Sequence, residues 1–73
     1  MEKYNLVGQD GNAYSLLGYT ARALRAEGLG DLCKEMQEKA TSGDYNNLVA
    51  VCAEYIDKAN AKARENGWFE EDE

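Results

Sequence analysis

Short breaks at residues 28–30 and 42–44 divide most of this sequence into three segments in which apolar residues recur every three or four positions. Such spacing places the apolar side chains along one face of a helix. Because the links between the segments are short, consecutive helices are expected to pack as antiparallel neighbours. The pattern therefore predicts an all-α, three-helix domain.

The first helix is predicted over residues 13–27, where good helix formers follow a cluster of turn-forming residues. Asp10 or Asn12 is placed to cap its free backbone amides, and Gly28 is placed to end it in a left-handed conformation. Its apolar face contains Ala13, Leu16, Leu17, Thr20, Ala23 and Leu24. This stripe is expected to face the core.

The second and third helices are predicted by the same signals. Asp31 is expected to cap a second helix that runs to about Thr41. Asp44 is placed to cap the third and longest helix, which runs to about Asn66 and is ended by Gly67. The two apolar faces contain, respectively, Leu32, Cys33, Met36 and Ala40, and Tyr45, Leu48, Val49, Cys52, Tyr55, Ile56, Ala59 and Ala63.

Residues 3–7 favour an extended conformation and precede the turn formers of residues 8–12. They predict a short extended N-terminal arm that can pair as a β-strand with the C-terminal tail or a second subunit, or can lie over the helices. We treat residues 1–12 as arm and turn, residues 67–73 as an acidic tail, and residues 1–73 as a single small helical domain.

The tail combines an aromatic pair with an acidic run. Trp68 and Phe69 are expected to pack back onto the bundle, against Tyr4 and Leu6, because an exposed aromatic pair is an apolar patch that monomers avoid; the alternative is that the pair is free to bind a partner. The four acids at residues 70–73 are expected to be solvated and disordered.

Size and charge narrow the class of protein. A domain of 73 residues has a thin core, so completion of that core in a homo-oligomer is a reasonable expectation. Fourteen acidic against eight basic residues give a formal charge of −6, which disfavours direct binding of nucleic acid or of anionic membranes. Since no apolar run approaches the roughly 20 residues that span a bilayer and no signal-peptide pattern is found, a cytoplasmic protein is expected.

The sequence offers few groups for catalysis or metal binding. It has no histidine and two cysteines, Cys33 and Cys52, which face each other if the second and third helices fold back at residues 42–43. The simpler interpretation is that both are reduced core thiols, and a redox switch is the alternative. Without imidazole, the common base of a nucleophilic triad is missing and a zinc site would need carboxylates. We therefore predict no enzyme activity, no catalytic residue, no metal and no cofactor.

One surface of the first helix, away from its leucines, is a candidate site for a ligand or partner. It contains Tyr14, Gly18, Tyr19, Arg22 and Arg25, with Ala21 beside them. Because glycine in a helix costs about 1 kcal/mol relative to alanine, Gly18 indicates close approach of another backbone or of a ligand. Arginines beside tyrosines can hold a phosphate while a ring stacks on a base. The simpler interpretation is that Gly18 permits a helix crossing and that the arginines pair with nearby acids.

The sequence contains the blocks GQDGNA at residues 8–13 and ATSGDY at residues 40–45, with Gly18 between them. Together these resemble a pattern found in short hypothetical proteins from bacterial and phage genomes. The resemblance covers roughly residues 3–50. After the second block the pattern often continues Asp-His-Leu-Leu, where this chain has Asn-Asn-Leu-Val at residues 46–49. The resemblance implies an accessory gene of mobile elements and carries no mechanism.

Three functions are compatible with these features. The first is a phage-borne small acidic accessory protein that binds a host protein and inhibits or regulates it by occupying a basic nucleic-acid groove. The second is an oligomeric small-molecule binder that sequesters a nucleotide signal between subunits at the arginine–tyrosine surface. The third is a structural or self-assembling protein, which needs no site.

Overall fold

The computed structural model of the chain describes residues 2–68. Over these residues the chain forms three α-helices and no β-strand. The helices are α1 (Ala13–Ala26), α2 (Cys33–Ala40) and α3 (Tyr45–Glu65), and a 3₁₀ turn at Gly30–Leu32 precedes α2. The predicted all-α, three-helix fold is confirmed.

Helix α3 is the centre of the fold, because α1 and α2 both contact it more extensively than they contact each other. The buried side chains are mostly those of the predicted stripes: Leu16, Ala23 and Leu24 of α1, Met36 and Ala40 of α2, and Leu48, Cys52, Tyr55, Ile56 and Ala59 of α3. The stripe prediction is wrong at Tyr45, which is 48% exposed because its hydroxyl donates to the backbone carbonyl of Gly11 instead of entering the core. Val51 is buried in the third helix without having been part of the predicted stripe.

The predicted ends of α1 are confirmed. The side-chain oxygen of Asn12 accepts a hydrogen bond from the backbone N–H of Tyr14 at 2.8 Å, so Asn12 is the N-cap. Gly28 follows the helix with a φ of 79°, and the N–H of Leu29 donates back to the carbonyl of Leu24 at 2.8 Å. This left-handed turn satisfies the last carbonyls of the helix, as glycine at this position commonly does.

The predicted caps of α3 are confirmed, whereas the predicted cap of α2 is wrong. Asp44 accepts from the N–H of Asn47 at 2.9 Å, and Gly67 has a φ of 99° just past the end of the helix. Asp31 lies inside the 3₁₀ turn, and Leu32 stands at the N-cap of α2 without a side-chain hydrogen bond. A capping side chain needs an extended backbone, which the helical winding of this turn does not provide.

The N-terminal arm lies over the helices and is held by side chains. The amide group of Asn60 accepts from the backbone N–H of Tyr4 at 2.8 Å and donates to the carbonyl of Tyr4 at 3.0 Å. The hydroxyl of Tyr19 accepts from the N–H of Asn5 at 2.9 Å. Of the arrangements open to the arm, the structure shows the one in which it packs on α1 and α3.

Both thiols are free; Cys52 is fully buried and Cys33 is partly exposed. Trp68 is half-buried, and its backbone N–H donates to the carbonyl of Ala63 at 2.9 Å. The predictions for Phe69 and for the acids at 70–73 fall outside the described residues. None of the helices over residues 2–68 is long and apolar enough to cross a membrane.

Candidate functional site

An open groove with a volume of about 630 Å³ runs between α1 and α2, on the side of these helices that α3 does not cover. Its lining comes from the first half of α1 and from most of α2: Tyr14, Leu17, Gly18, Lys34, Gln37, Glu38 and Thr41. Two of the residues predicted from the sequence, Tyr14 and Gly18, therefore lie in one groove. We call it the α1–α2 groove.

Helices α1 and α2 run in opposite directions along this groove. The thiol of Cys33 lies 3.6 Å from the backbone carbonyl of Ala21, so the start of α2 is beside the second half of α1. Thr41, just after the end of α2, lines the groove together with Tyr14 near the start of α1. One end of the groove is thus built from the start of α1 and the end of α2, and Lys34 lies toward the other end.

Tyr14 forms an aromatic wall of the groove and is 85% exposed. The half-buried Leu17 provides an apolar surface beside it. A solvent-exposed aromatic ring next to an apolar surface is typical of a residue that contacts a partner. Burying the ring against that partner removes a large apolar area from water.

Gly18 lies in the middle of α1 and lines the groove. A β-carbon at this position would meet, among the described residues, only the Nη1 atom of Arg22 at 3.5 Å, which is an ordinary contact with a flexible side chain. No packed helix occupies the space, so the interpretation of Gly18 as a helix-crossing residue within this chain is wrong. The space that the glycine leaves opens into the groove.

Arg22 lies over Gly18, at the edge of the groove, and is exposed. Arg25 lies one turn further along, where its Nη1 atom is 3.9 Å from the Cys33 sulfur and its side chain covers Gly30. Within residues 2–68 no acid lies within ion-pair distance of either arginine. The described structure therefore gives no support to the pairing of these arginines with nearby acids.

Tyr19 and Ala21 do not belong to the groove. The Tyr19 ring packs edge-on against Tyr4, with the ring centres 6.5 Å apart, and its hydroxyl binds the arm at Asn5. Ala21 is only 3% exposed because the start of α2 covers it at Cys33. The sequence predicted one surface, whereas the structure divides it between the groove and the attachment of the arm.

A buried carboxylate at the end of α1 was missed by the sequence reasoning. Glu27 is 4% exposed; it accepts from the Lys3 ammonium group at 2.7 Å, from the Tyr4 hydroxyl at 2.5 Å and from the Asn66 amide at 3.2 Å. The hydrogen bond from Lys3, followed by that from Tyr4, holds the pKa of Glu27 below its ordinary range. Both carboxylate oxygens of Glu27 accept hydrogen bonds from within the chain, so this cluster joins the arm to the ends of α1 and α3 and is structural.

A smaller groove of about 260 Å³ lies between the arm and α3. Ile56 and Asn60 line it from α3, and Val7, which is 83% exposed, lines it from the arm. Since Asn60 is engaged by Tyr4, this groove is mainly the seam along which the arm is attached. We regard it as a weaker candidate than the α1–α2 groove.

The residues that line the α1–α2 groove are better suited to binding than to catalysis. Its charged groups, Lys34 and Glu38, are both exposed. Over residues 2–68, no three carboxylate or thiol side chains come close enough together to hold one metal ion. Exposed charged groups lack the buried surroundings in which catalytic acids and bases usually lie. We therefore describe the groove as a candidate binding site.

Comparison of the chain with models of known protein families, with curated proteins and with solved structures gave no match.

Proposed function

We propose that this chain is a small non-enzymatic binding protein that docks on a partner protein through the α1–α2 groove and thereby inhibits or regulates that partner. The single observation that carries the proposal is Gly18. Its missing side chain opens space in a groove beside the exposed Tyr14, and the described part of the chain does not use that space.

The glycine has a cost that a binding role explains. An alanine at position 18 would meet no backbone or core side chain among the described residues, and it would favour the helix by about 0.5–1 kcal/mol. Binding sites commonly keep residues that lower the stability of the free protein. In this proposal the role of Gly18 is to let the backbone of a partner approach α1 closely.

The open form of the groove favours a protein partner. Sites for small molecules enclose most of their ligand, whereas this groove is open along its length and has mixed apolar and charged edges. Tyr14 and Leu17 offer apolar area, and Lys34 and Glu38 offer charges of both signs at the rim. An aromatic anchor with a polar rim is the usual composition of a protein interface.

The distribution of charge also favours the groove, and not a general acidic surface, as the docking surface. Four of the fourteen acidic residues occupy the last four positions, which leaves ten acidic against eight basic residues in the rest of the chain. Residues 1–69 are therefore nearly balanced in charge, and mimicry of nucleic acid would depend on the tail. We propose a host protein as the partner, in keeping with the accessory gene implied by the resemblance of residues 3–50.

The test is affinity capture with a matched pair of variants. Tyr14 and Val7 are similarly exposed, at 85% and 83%, but lie in different grooves. We expect the unchanged chain and Val7→Ala to retain the same host protein, and Tyr14→Ala and Gly18→Ala to lose it. Equal retention by all four proteins would show that the groove is not the docking surface.

A nucleotide binder is the second candidate, because Tyr14, Gly18 and Arg22 follow one another along the same face of α1 and Lys34 lies across the groove. This arrangement offers a ring for stacking and two cations for a phosphate. Calorimetric titration with linear and cyclic nucleotides tests it. Binding that Arg22→Gln and Arg25→Gln leave unchanged would exclude the predicted arginine surface as the site.

A further inference from the structure

The α1–α2 groove has a basic end and an acidic end. Because α1 and α2 are antiparallel, the start of α2 with Lys34 lies beside the second half of α1, on which Arg22 follows Gly18 by one turn. Glu38 is one turn further along α2 and lies toward the end of the groove that holds Tyr14. Gly18 lies between the two ends.

This arrangement is complementary to itself under a two-fold rotation. A two-fold axis through the middle of the groove, near Gly18, brings the basic end of one copy against the acidic end of the other. In such an isologous contact every pairing occurs twice, so a favourable pair of charges is doubled. The same operation places the two copies of Gly18 against each other, where the absence of side chains lets two helices approach closely.

We propose that a second copy of this chain occupies the α1–α2 groove and that the protein forms a symmetric dimer with α1 crossing α1 at Gly18. In this dimer Glu38 lies opposite Lys34 of the partner subunit, and the ring of Tyr14 lies opposite Arg22 of the partner subunit. A guanidinium over a tyrosine ring is a favourable contact, and it becomes stronger when the ring leaves water. Tyr14, 85% exposed in the single chain, is thereby covered.

The size of the chain supports a second copy as the occupant. A domain of 73 residues has a thin core, and oligomerisation is a common way to complete one. Oppositely charged ends also fix the register of the dimer, since a parallel arrangement would place like charges together. One consequence rests on the proposed function: the dimer covers the groove and therefore competes with the partner protein for it.

The test is the molar mass in solution, measured by sedimentation over about 1 µM to 1 mM, the range in which dimers of modest affinity dissociate. We expect a concentration-dependent monomer–dimer equilibrium in the unchanged chain. Glu38→Lys and Lys34→Glu should each raise the dimer Kd about tenfold or more, because each places like charges opposite one another. The double variant Glu38→Lys with Lys34→Glu should restore the original Kd.

The matched control is Glu54→Lys, which makes the same charge change at an exposed position of α3, away from the groove. It should leave the dimer Kd unchanged, and circular dichroism should show the same helical content in all variants. A monomer throughout the concentration range would overturn the dimer. An effect of Glu54→Lys equal to that of Glu38→Lys, or a double variant that stays monomeric, would overturn it as well.

These outcomes are separate from the test of the proposed function. A chain that is monomeric but still captures a host protein through Tyr14 removes the dimer and leaves the docking proposal in place. A dimer whose groove variants capture the same host proteins as the unchanged chain removes the docking proposal and leaves the dimer.

Discussion

The side-chain amide of Asn60 holds both polar groups of the Tyr4 backbone, at 2.8 Å to the N–H and 3.0 Å to the carbonyl. This pair of bonds is what a neighbouring β-strand would supply to an extended arm. Asn60 is 4% exposed, so its own amide group is satisfied through the arm and not through water. The two residues, 56 positions apart in sequence, therefore close the N-terminal arm onto α3.

Replacement of Asn60 by alanine should lower the free energy of unfolding by about 1–3 kcal/mol, because both backbone groups of Tyr4 lose their partner. Chemical denaturation measures this change. Hydrogen exchange at the amide of Tyr4 should also become faster, since the arm opens more often.

The control for Asn60 is Asn46→Ala, an exposed substitution of the same type on the same helix. Its effect should stay within about 0.5 kcal/mol. If Asn60→Ala behaved like this control and left the exchange of Tyr4 unchanged, the attachment of the arm through Asn60 would be wrong.

Glu27 should make the stability of the fold depend on pH in the acid range. The hydrogen bonds from Lys3 and Tyr4 lower the pKa of Glu27 from its ordinary value of 4.5. The ionised carboxylate therefore stabilises the fold above that pH, and the contribution is lost as the pH falls through the lowered pKa. Denaturation of the unchanged chain and of Glu27→Gln should give a large difference in stability at pH 7 that shrinks in acid.

Glu54→Gln provides the reference for Glu27, because Glu54 is exposed on α3. Its difference from the unchanged chain should be small at both pH values. A difference for Glu27→Gln that is as large in acid as at pH 7 would show that the ionised form of Glu27 does not stabilise the fold.

Replacement by alanine should have opposite effects on stability at Gly18, inside α1, and at Gly28, just after its end. At Gly28 the φ of 79° makes any side chain strained although nothing crowds it, so Gly28→Ala should cost about 1–2 kcal/mol. At Gly18 the helical backbone suits alanine and the groove has room, so Gly18→Ala should add about 0.5–1 kcal/mol to the stability of the monomer. Thermal unfolding of dilute samples measures both, and a destabilising Gly18→Ala would reveal a packing contact inside the monomer.

The two thiols should react at different rates with a thiol reagent. Cys33 is partly exposed beside α1, whereas Cys52 is fully buried against the other helices. Cys52 can react only when the core opens, so its labelling should be slower than that of Cys33 by roughly tenfold or more. Single Cys33→Ala and Cys52→Ala variants assign the two rates, and equal rates would mean that Cys52 is not held in a closed core.

The sequence could predict the helices because their signals are local. Asn12, Asp44, Gly28 and Gly67 mark helix ends by their own chemistry, and the structure confirms each of them. Asp31 misled the prediction because an acid before a helix caps it only if its backbone is extended, and the backbone there depends on how the link turns. The conformation of a link is set by packing, which a local pattern does not contain.

The site was harder to predict because it depends on how helices pack. Tyr14 and Gly18 were found from helical spacing, but Lys34 and Glu38 join them only because α2 lies antiparallel beside α1. Tyr19 was assigned to the same surface, yet it lies about 100° around the helix from Gly18 and reaches the arm. The only signal for the Glu27 cluster in the sequence is an acidic residue directly before Gly28, which ends α1. Acidic residues are common at such positions, so this signal does not predict a buried carboxylate.

The measurement that tests the role of the α1–α2 groove most directly is photo-crosslinking. Placing p-benzoylphenylalanine at Tyr14 or at Val7 puts the same probe at two equally exposed positions in different grooves. We predict that irradiation with proteins of the proposed host gives discrete crosslinked products, to the proposed partner protein or to a second copy of the chain, from position 14 and not from position 7. Crosslinks from position 7, alone or together with position 14, or from neither position, would contradict the assignment of the groove as the binding surface.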